Sequence, residues 1–212
     1  VTIAASLLAA VAWVVLGSGA LDVHRVDVAG TTKLSAVEVR RTVQTSVGAP
    51  MVTLDTNALR ARLAAIPSVA SVTVTRSWPT TLRVRVHERT AVVASRRADG
   101  WLLIDREGVP FTTVASLPTG VLPLSVAAPS STDASTQAAL AVLSSLPSAV
   151  RHRVTALLAP TPAGVQLRLT QRVTVVWGGP EDSPRKAHAL AALLHQHATV
   201  YDVSTPGFVT TS

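Results

Sequence analysis

Apolar and polar residues follow three rhythms along this chain: an uninterrupted apolar run, spacings of three and four, and strict alternation. From Val1 to Leu21 no side chain is charged, and Leu7, Leu8, Val11, Trp13, Val14, Val15 and Leu16 form the centre of the run. At about 1.5 Å per residue it makes a helix roughly 31 Å long, the thickness of a bilayer's hydrocarbon core. Charge begins with Asp22, His24 and Arg25. The pattern predicts a transmembrane helix over residues 1–21, followed by a folded portion on one side of the membrane. A cleaved signal peptide is the alternative, because Gly17, Ser18, Gly19 and Ala20 are small. The apolar run is, however, longer than a signal core of about 7–15 residues. Starting at Val1, with Met51 the one methionine, the chain is expected to be a fragment lacking an N-terminal tail, or to begin at a non-methionine start codon.

Val23, Val26 and Val28 form a short apolar stretch stopped by Gly30, a predicted strand. Ser35 with Glu38 three residues later has the pattern of a capping box. The helix it opens carries Val39, Val43 and Val47 on one face and stops at Gly48. Asp55 and Thr56 mark a second helix start, and Leu59, Leu63 and Ile66 make a stripe ended by Pro67. Val72 and Val74 then alternate with Ser71, Thr73 and Thr75. Leu82, Val84 and Val86 alternate with Arg83, Arg85 and His87, giving a second half-buried strand. Arg76, Arg83 and Arg85 are expected on a solvated sheet face, and Trp78-Pro79 is expected to be an apolar lid with a fixed φ. The order β-α-α-β-β in about 65 residues is a small α+β unit, a three-stranded sheet with two helices on one face.

Further along, Ala91 to Ala94 and Trp101 to Ile104 are strand-like and bracket the turn residues Arg96-Arg97-Ala98-Asp99-Gly100. Asp105-Arg106-Glu107-Gly108 is another turn. A helix is predicted from Ser135 to Leu146, with Leu140 and Leu143 inward. Strands return at Val154 to Leu158, Val165 to Leu169 and Val173 to Trp177, until Gly178-Gly179 breaks the run. Ser183 as N-cap and Pro184 at the first helical position start a helix carrying Ala187, Leu190 and Leu194 inward. Val200 to Val203 and Phe208 to Thr211 are the last two predicted strands.

Composition narrows the chemistry. Thirteen prolines and eleven glycines suit a loop-rich α+β protein, and the absence of cysteine excludes disulfides and thiolate metal sites. The formal net charge of +7 is nearly all arginine, with Lys33 and Lys186 the lysines. The arginines are scattered and no aromatic platform is interleaved, which argues against nucleic-acid binding and for anionic lipid headgroups or wall polymers as neighbours. Asp105 and Glu107 sit in a turn with no second carboxylate partner for acid/base work. His195 and His197, two residues apart, point to different faces of a helix, and with His188 they fall short of a convergent zinc site. No serine lies in a G-x-S-x-G elbow, and Gly178-Gly179 lacks the P-loop spacing. Neither an enzyme nor a cofactor is expected.

Val26-Asp27-Val28-Ala29-Gly30, Glu38-Val39 and Ile66-Pro67-Ser68-Val69-Ala70-Ser71-Val72 resemble the POTRA domain of the bacterial cell-division family FtsQ/DivIB. The stretch from Val74 through Arg76, Trp78-Pro79, Leu82, Val84 and Val86 to Glu88-Arg89 is similar to that family's V-x-R-x-W-P-x-x-L-x-V-x-V-x-E-R signature. Ile104-Asp105 with Gly108 and Phe111, Val176-Trp177-Gly178, Lys186 and Tyr201-Asp202-Val203 resemble its C-terminal half. The resemblance implies an α+β protein with a transmembrane helix over 1–21, a POTRA domain over 22–89 and a mixed β-sheet domain backed by helices over 90–212. It further implies a non-catalytic divisome scaffold at the division septum, its C-terminal part extracytoplasmic, linking early and late division proteins and regulating septal peptidoglycan synthesis. Its implied partners are the bitopic proteins FtsB and FtsL and other division proteins of the membrane. Transferred by position, the partner-binding residues are Tyr201, Val203, Ser204, Thr205, Phe208, Val209 and Thr210, although some relatives place an arginine and a tyrosine where this chain has Ser204 and Thr205. An inward-facing Phe208 that closes the core is the alternative there. The competing function is a POTRA-bearing export or outer-layer assembly factor, which tandem POTRA copies or a barrel-type sequence would favour.

Overall fold

The computed structural model describes residues 3, 6, 13, 19–31, 36–194, 198–205 and 210–211. Among these no helix is long and apolar enough to cross a membrane. Most of the predicted span over 1–21 lies outside the described residues, as do Ser35, His195, His197, Phe208 and Val209. The chain divides into two compact units, residues 1–89 and 90–212.

The first unit runs β1 (Arg25–Ala29), α1 (Ala36–Gln44), α2 (Thr56–Ala64), β2 (Val69–Ser77) and β3 (Thr81–Glu88). Its three strands lie in the order β1-β3-β2, with β1 parallel and β2 antiparallel to the central β3. Strict alternation buries Leu82, Val84 and Val86 of β3 and exposes Arg83, Arg85 and His87. Val39 and Val43 of α1, Leu59 and Leu63 of α2, and Ile66 close over that face together with Val23 and Met51. Asp55 caps α2, its Oδ1 accepting from the N–H groups of Asn57 and Ala58 at 2.9 Å each. Gly30 must be glycine: its φ is +86°, and a Cβ there would collide with the Val86 carbonyl oxygen.

Three expectations fail in this unit. Val47 is 51% exposed, because α1 ends at Gln44 and the chain turns through residues 45–48, with Ser46 N–H on the Val43 carbonyl. Trp78 is no lid: it stands 55% exposed in the turn between β2 and β3. Arg76 is not simply a solvated sheet-face arginine. Its Nε donates to the Met51 carbonyl at 2.9 Å and its Nη2 to the Leu54 carbonyl at 2.5 Å. The loop so held also receives the incoming chain, through Met51 N–H on Leu21 O and Gly48 N–H on Val23 O, both at 2.9 Å. A charged donor is well suited to carbonyls that no helix or ladder satisfies.

The second unit contains β4 (Val93–Arg97), β5 (Gly100–Ile104), β6 (Pro110–Val114), β7 (Leu122–Ser125), α3 (Ala134–Ser145), α4 (Ser148–Arg151), β8 (Val154–Leu158), β9 (Val165–Leu169), β10 (Thr174–Gly178), α5 (Ser183–Leu193), β11 (Val200–Asp202) and β12 (Thr210–Thr211). The strands form one mixed nine-stranded sheet in the order β12-β11-β10-β9-β8-β7-β4-β5-β6. Side chains from α3, α4 and α5 share one apolar cluster with Val93, Ile104, Leu157, Leu167, Val175 and Trp177, so the helices pack on one face of the sheet. A smaller cluster of Ala94, Leu103 and Phe111 lies apart from it. Asp133 caps α3, its Oδ2 accepting from the Thr136 hydroxyl at 2.6 Å and the Thr136 N–H at 2.7 Å. The helix after β10 does not use Ser183 as its N-cap, contrary to the sequence pattern. Asp182 precedes it, and Ser183 is its first residue, with its hydroxyl engaged elsewhere.

Two expected outcomes follow from these contacts. Arg76→Ala removes both charge-assisted hydrogen bonds and should speed amide exchange at Met51 and Gly48 at least about tenfold, while β4–β12 amides keep their protection; hydrogen-exchange mass spectrometry reads both. The bonds from Thr136, hydroxyl first and N–H second, hold the Asp133 carboxyl below the usual carboxylate range. Its stabilisation is therefore present above the unfolded carboxylate pKa and lost as pH falls through the lower folded value. Asp133→Ala should cost about 1 kcal/mol in urea unfolding at pH 7, and the difference from the parent should shrink in acid below the ordinary carboxylate range.

Candidate partner-binding surface

The C-terminal edge of the nine-stranded sheet is built by β10, β11 and β12. Thr174, Val175 and Val176 pair in parallel with Val200, Tyr201 and Asp202, and Tyr201 and Asp202 pair antiparallel with Thr211 and Thr210. β12 comes last in the strand order, so among the described strands only β11 hydrogen-bonds to it. An edge of this kind carries main-chain donors and acceptors that an added strand can take up.

The residues transferred from the family separate by depth. Tyr201 is 2% exposed and Val203 1%, both within the helix-covered cluster. Their side chains therefore face that cluster rather than the outer side of the edge. The reason is visible in the pattern itself, since residues two apart on a strand share a face and this face is the apolar one. Asp202, between them, is half-buried and turns the chain, its Oδ1 accepting from Ser204 N–H at 2.9 Å. Ser204 is half-buried and Thr205 exposed, so these two are accessible. Thr210 belongs to the edge strand, and Phe208 and Val209 lie outside the described residues.

Support for this edge comes from residues the sequence reading did not connect with it. Trp177 is fully buried, and its indole N–H donates to the Ser183 hydroxyl at 3.2 Å. That hydroxyl in turn donates to the Pro180 carbonyl at 2.6 Å. Lys186, 4% exposed, donates its ammonium to the Gly179 carbonyl at 2.9 Å. A buried ammonium without such a bond would be strongly penalised. The loop after β10 is thus pinned from two sides, and Gly178, the last residue of β10, has φ +76°, with a Cβ there falling 3.0 Å from the Ser204 Cβ. Val203 N–H completes the junction on the Val176 carbonyl at 2.9 Å.

The acids considered for chemistry are otherwise engaged. Asp105 is buried, and its Oδ1 accepts from the N–H groups of Glu107 at 3.0 Å and Val109 at 2.8 Å. Glu107 accepts from Arg106 Nε at 2.8 Å, and this hydrogen bond lowers its carboxyl below the ordinary value. Among the described residues no group of three or more His, Asp or Glu is placed to hold a metal ion.

Comparison with known proteins gives the same division of the chain and a family. The POTRA domain of FtsQ type matches residues 21–89, and the C-terminal domain of cell division protein FtsQ/DivIB matches residues 91–205. Cell division protein FtsQ of Streptomyces collinus is 36% identical over 92% of this chain and 79% of its own length. Proteins of the same name from Mycobacteroides abscessus and Mycolicibacterium smegmatis are 38% and 37% identical over 90% of the chain, which spans 61% and 57% of their lengths. The two matched regions leave few residues of the folded portion unaccounted for, and the chain belongs to the FtsQ/DivIB family of cell-division proteins.

Proposed function

We propose that this protein is a membrane-tethered, non-catalytic scaffold of the bacterial division machinery, acting at the septum with residues from Asp22 onward outside the cytoplasm. It links division proteins to one another and regulates septal peptidoglycan synthesis through those contacts. FtsB-like and FtsL-like bitopic proteins bind the C-terminal edge of the second unit, and other division proteins of the membrane engage the first unit and the tether. The observation that carries this reading is the place of β12 at the end of the nine-stranded sheet. Ser204, Thr205 and the strand around Thr210 would meet the partner, largely through main-chain hydrogen bonds. Tyr201 and Val203 would act from beneath, by fixing the depth of β11. The division names of the relatives favour this over the export reading, and the uncharged run from Val1 to Leu21 supports the tether.

Removing residues 206–212 tests the edge. Among the described residues Val203 is the last member of the apolar cluster, so the shortened protein should keep a cooperative thermal transition; loss of that transition would instead place Phe208 in the core. The shortened protein should lose capture of the FtsB-like protein of its own bacterium from detergent-solubilised membranes. Undiminished capture by the folded, shortened chain would place the partner elsewhere. Topology is tested separately: protease added to intact spheroplasts should digest the second unit, and protection until the membrane is broken would reverse the orientation.

A further inference from the structure

The face of the nine-stranded sheet that the helices leave uncovered has a groove of about 360 Å³. Ala156, Leu158, Gln166, Arg168, Thr174 and Val176 alternate with the core residues of β8, β9 and β10, so they project onto this face. The groove's apolar surface comes from Pro123, Val126, Ala156, Leu158 and Trp101, and its charge from Arg96 and Arg168. Among the described residues no acidic side chain lines it and neither arginine has a carboxylate partner. Both arginines are exposed.

The two cations are held apart. The registers Ala94 with Pro123, Leu124 with Leu157, and Ala156 with Arg168 set Ala94 level with Arg168 across three strand spacings. Arg96 lies two residues further along β4, so the two arginine positions are roughly 16 Å apart at about 4.8 Å per strand and about 3.3 Å per residue. The Arg96 guanidinium lies 5.3 Å from the centroid of the Trp101 ring, on β5, the neighbour of β4 on the side away from β9. That cation–π contact draws it away from Arg168. One small anion is poorly placed to serve both, whereas an extended chain rising about 3.3 Å per residue sets carboxylates four residues apart on one face about 13 Å from each other, with the flexible glutamate and arginine side chains spanning the remainder. Arg96 also occupies a face of the Trp101 ring, which disfavours stacking of a sugar there and favours a peptide over a wall glycan.

We propose that this groove is a second docking site, separate from the C-terminal edge, for an extended acidic segment of a partner protein. The two guanidiniums bind spaced carboxylates, and the apolar floor takes the side chains between them. The site goes beyond the edge-binding function and does not depend on it.

The test uses the full chain in detergent micelles and a fluorescein-labelled eight-residue Ser/Val peptide with glutamates at its second and sixth positions. Fluorescence anisotropy should show salt-sensitive binding. Exposed ion pairs are individually weak, so R96Q and R168Q should each reduce affinity about threefold, and together about tenfold. Both positions are exposed, so circular dichroism of the double variant should match the parent. A charge-reversed R96E/R168E protein should instead bind the matching lysine peptide. Removal of residues 206–212 should leave glutamate-peptide binding unchanged, even if it abolishes partner capture at the edge. Equal binding by parent and double variant would overturn the proposal. So would binding of soluble wall glycopeptides by a protein that ignores the glutamate peptide.

Discussion

A fully buried indole must place its N–H, and the C-terminal third of the second unit is arranged around that need at Trp177. Leaving the donor unpaired would cost about 1–3 kcal/mol. Ser183 meets it, and is thereby drawn into the junction between β10 and α5 and onto the Pro180 carbonyl. Lys186, one turn further into α5, fastens the same junction at Gly179. With the junction fixed, Gly178 leaves room for Ser204, and β11 can lie parallel to β10 with Tyr201 and Val203 in the core. The edge strand β12 is positioned by β11, so a candidate binding edge depends on a hydrogen bond made well inside the domain.

Regular patterns were readable in the sequence because each follows from one local periodicity. Leu82, Val84 and Val86 alternate without fault, and Asp55 caps α2 by reaching only three residues ahead. The unreadable features involve groups distant in the chain. Arg76 looked like a solvated cation because nothing near it reveals that Met51 and Leu54 present unpaired carbonyls. Ser183 matched an N-cap pattern, yet the indole six residues earlier had the stronger claim. Val47 kept the helical spacing of Val39 and Val43, but the turn through residues 45–48 ends the helix before that spacing can operate.

The candidate edge was legible only in outline. The family resemblance located it, but transfer by position does not distinguish side chains facing the core from those facing out. Alternation could have made that distinction for Tyr201 and Val203, and it also defines the opposite, helix-free face. There, Arg96 and Arg168 are far apart in the chain and share a groove only because β7 and β8 are inserted between their strands. Sheet order, unlike strand identity, is set by crossovers that leave little local trace.

The topology of the first unit has a mechanical consequence. Its first strand, β1, and its last, β3, are parallel neighbours joined through five register pairs from Arg25–Thr81 to Ala29–Arg85. Tension applied between the residue entering β1 and the residue leaving β3 would slide one strand along the other. The hydrogen bonds between them would then be strained together, as in a lap joint, instead of opening one after another like a zipper. A unit held at its start and pulled from its end would keep its shape until the whole ladder gave way.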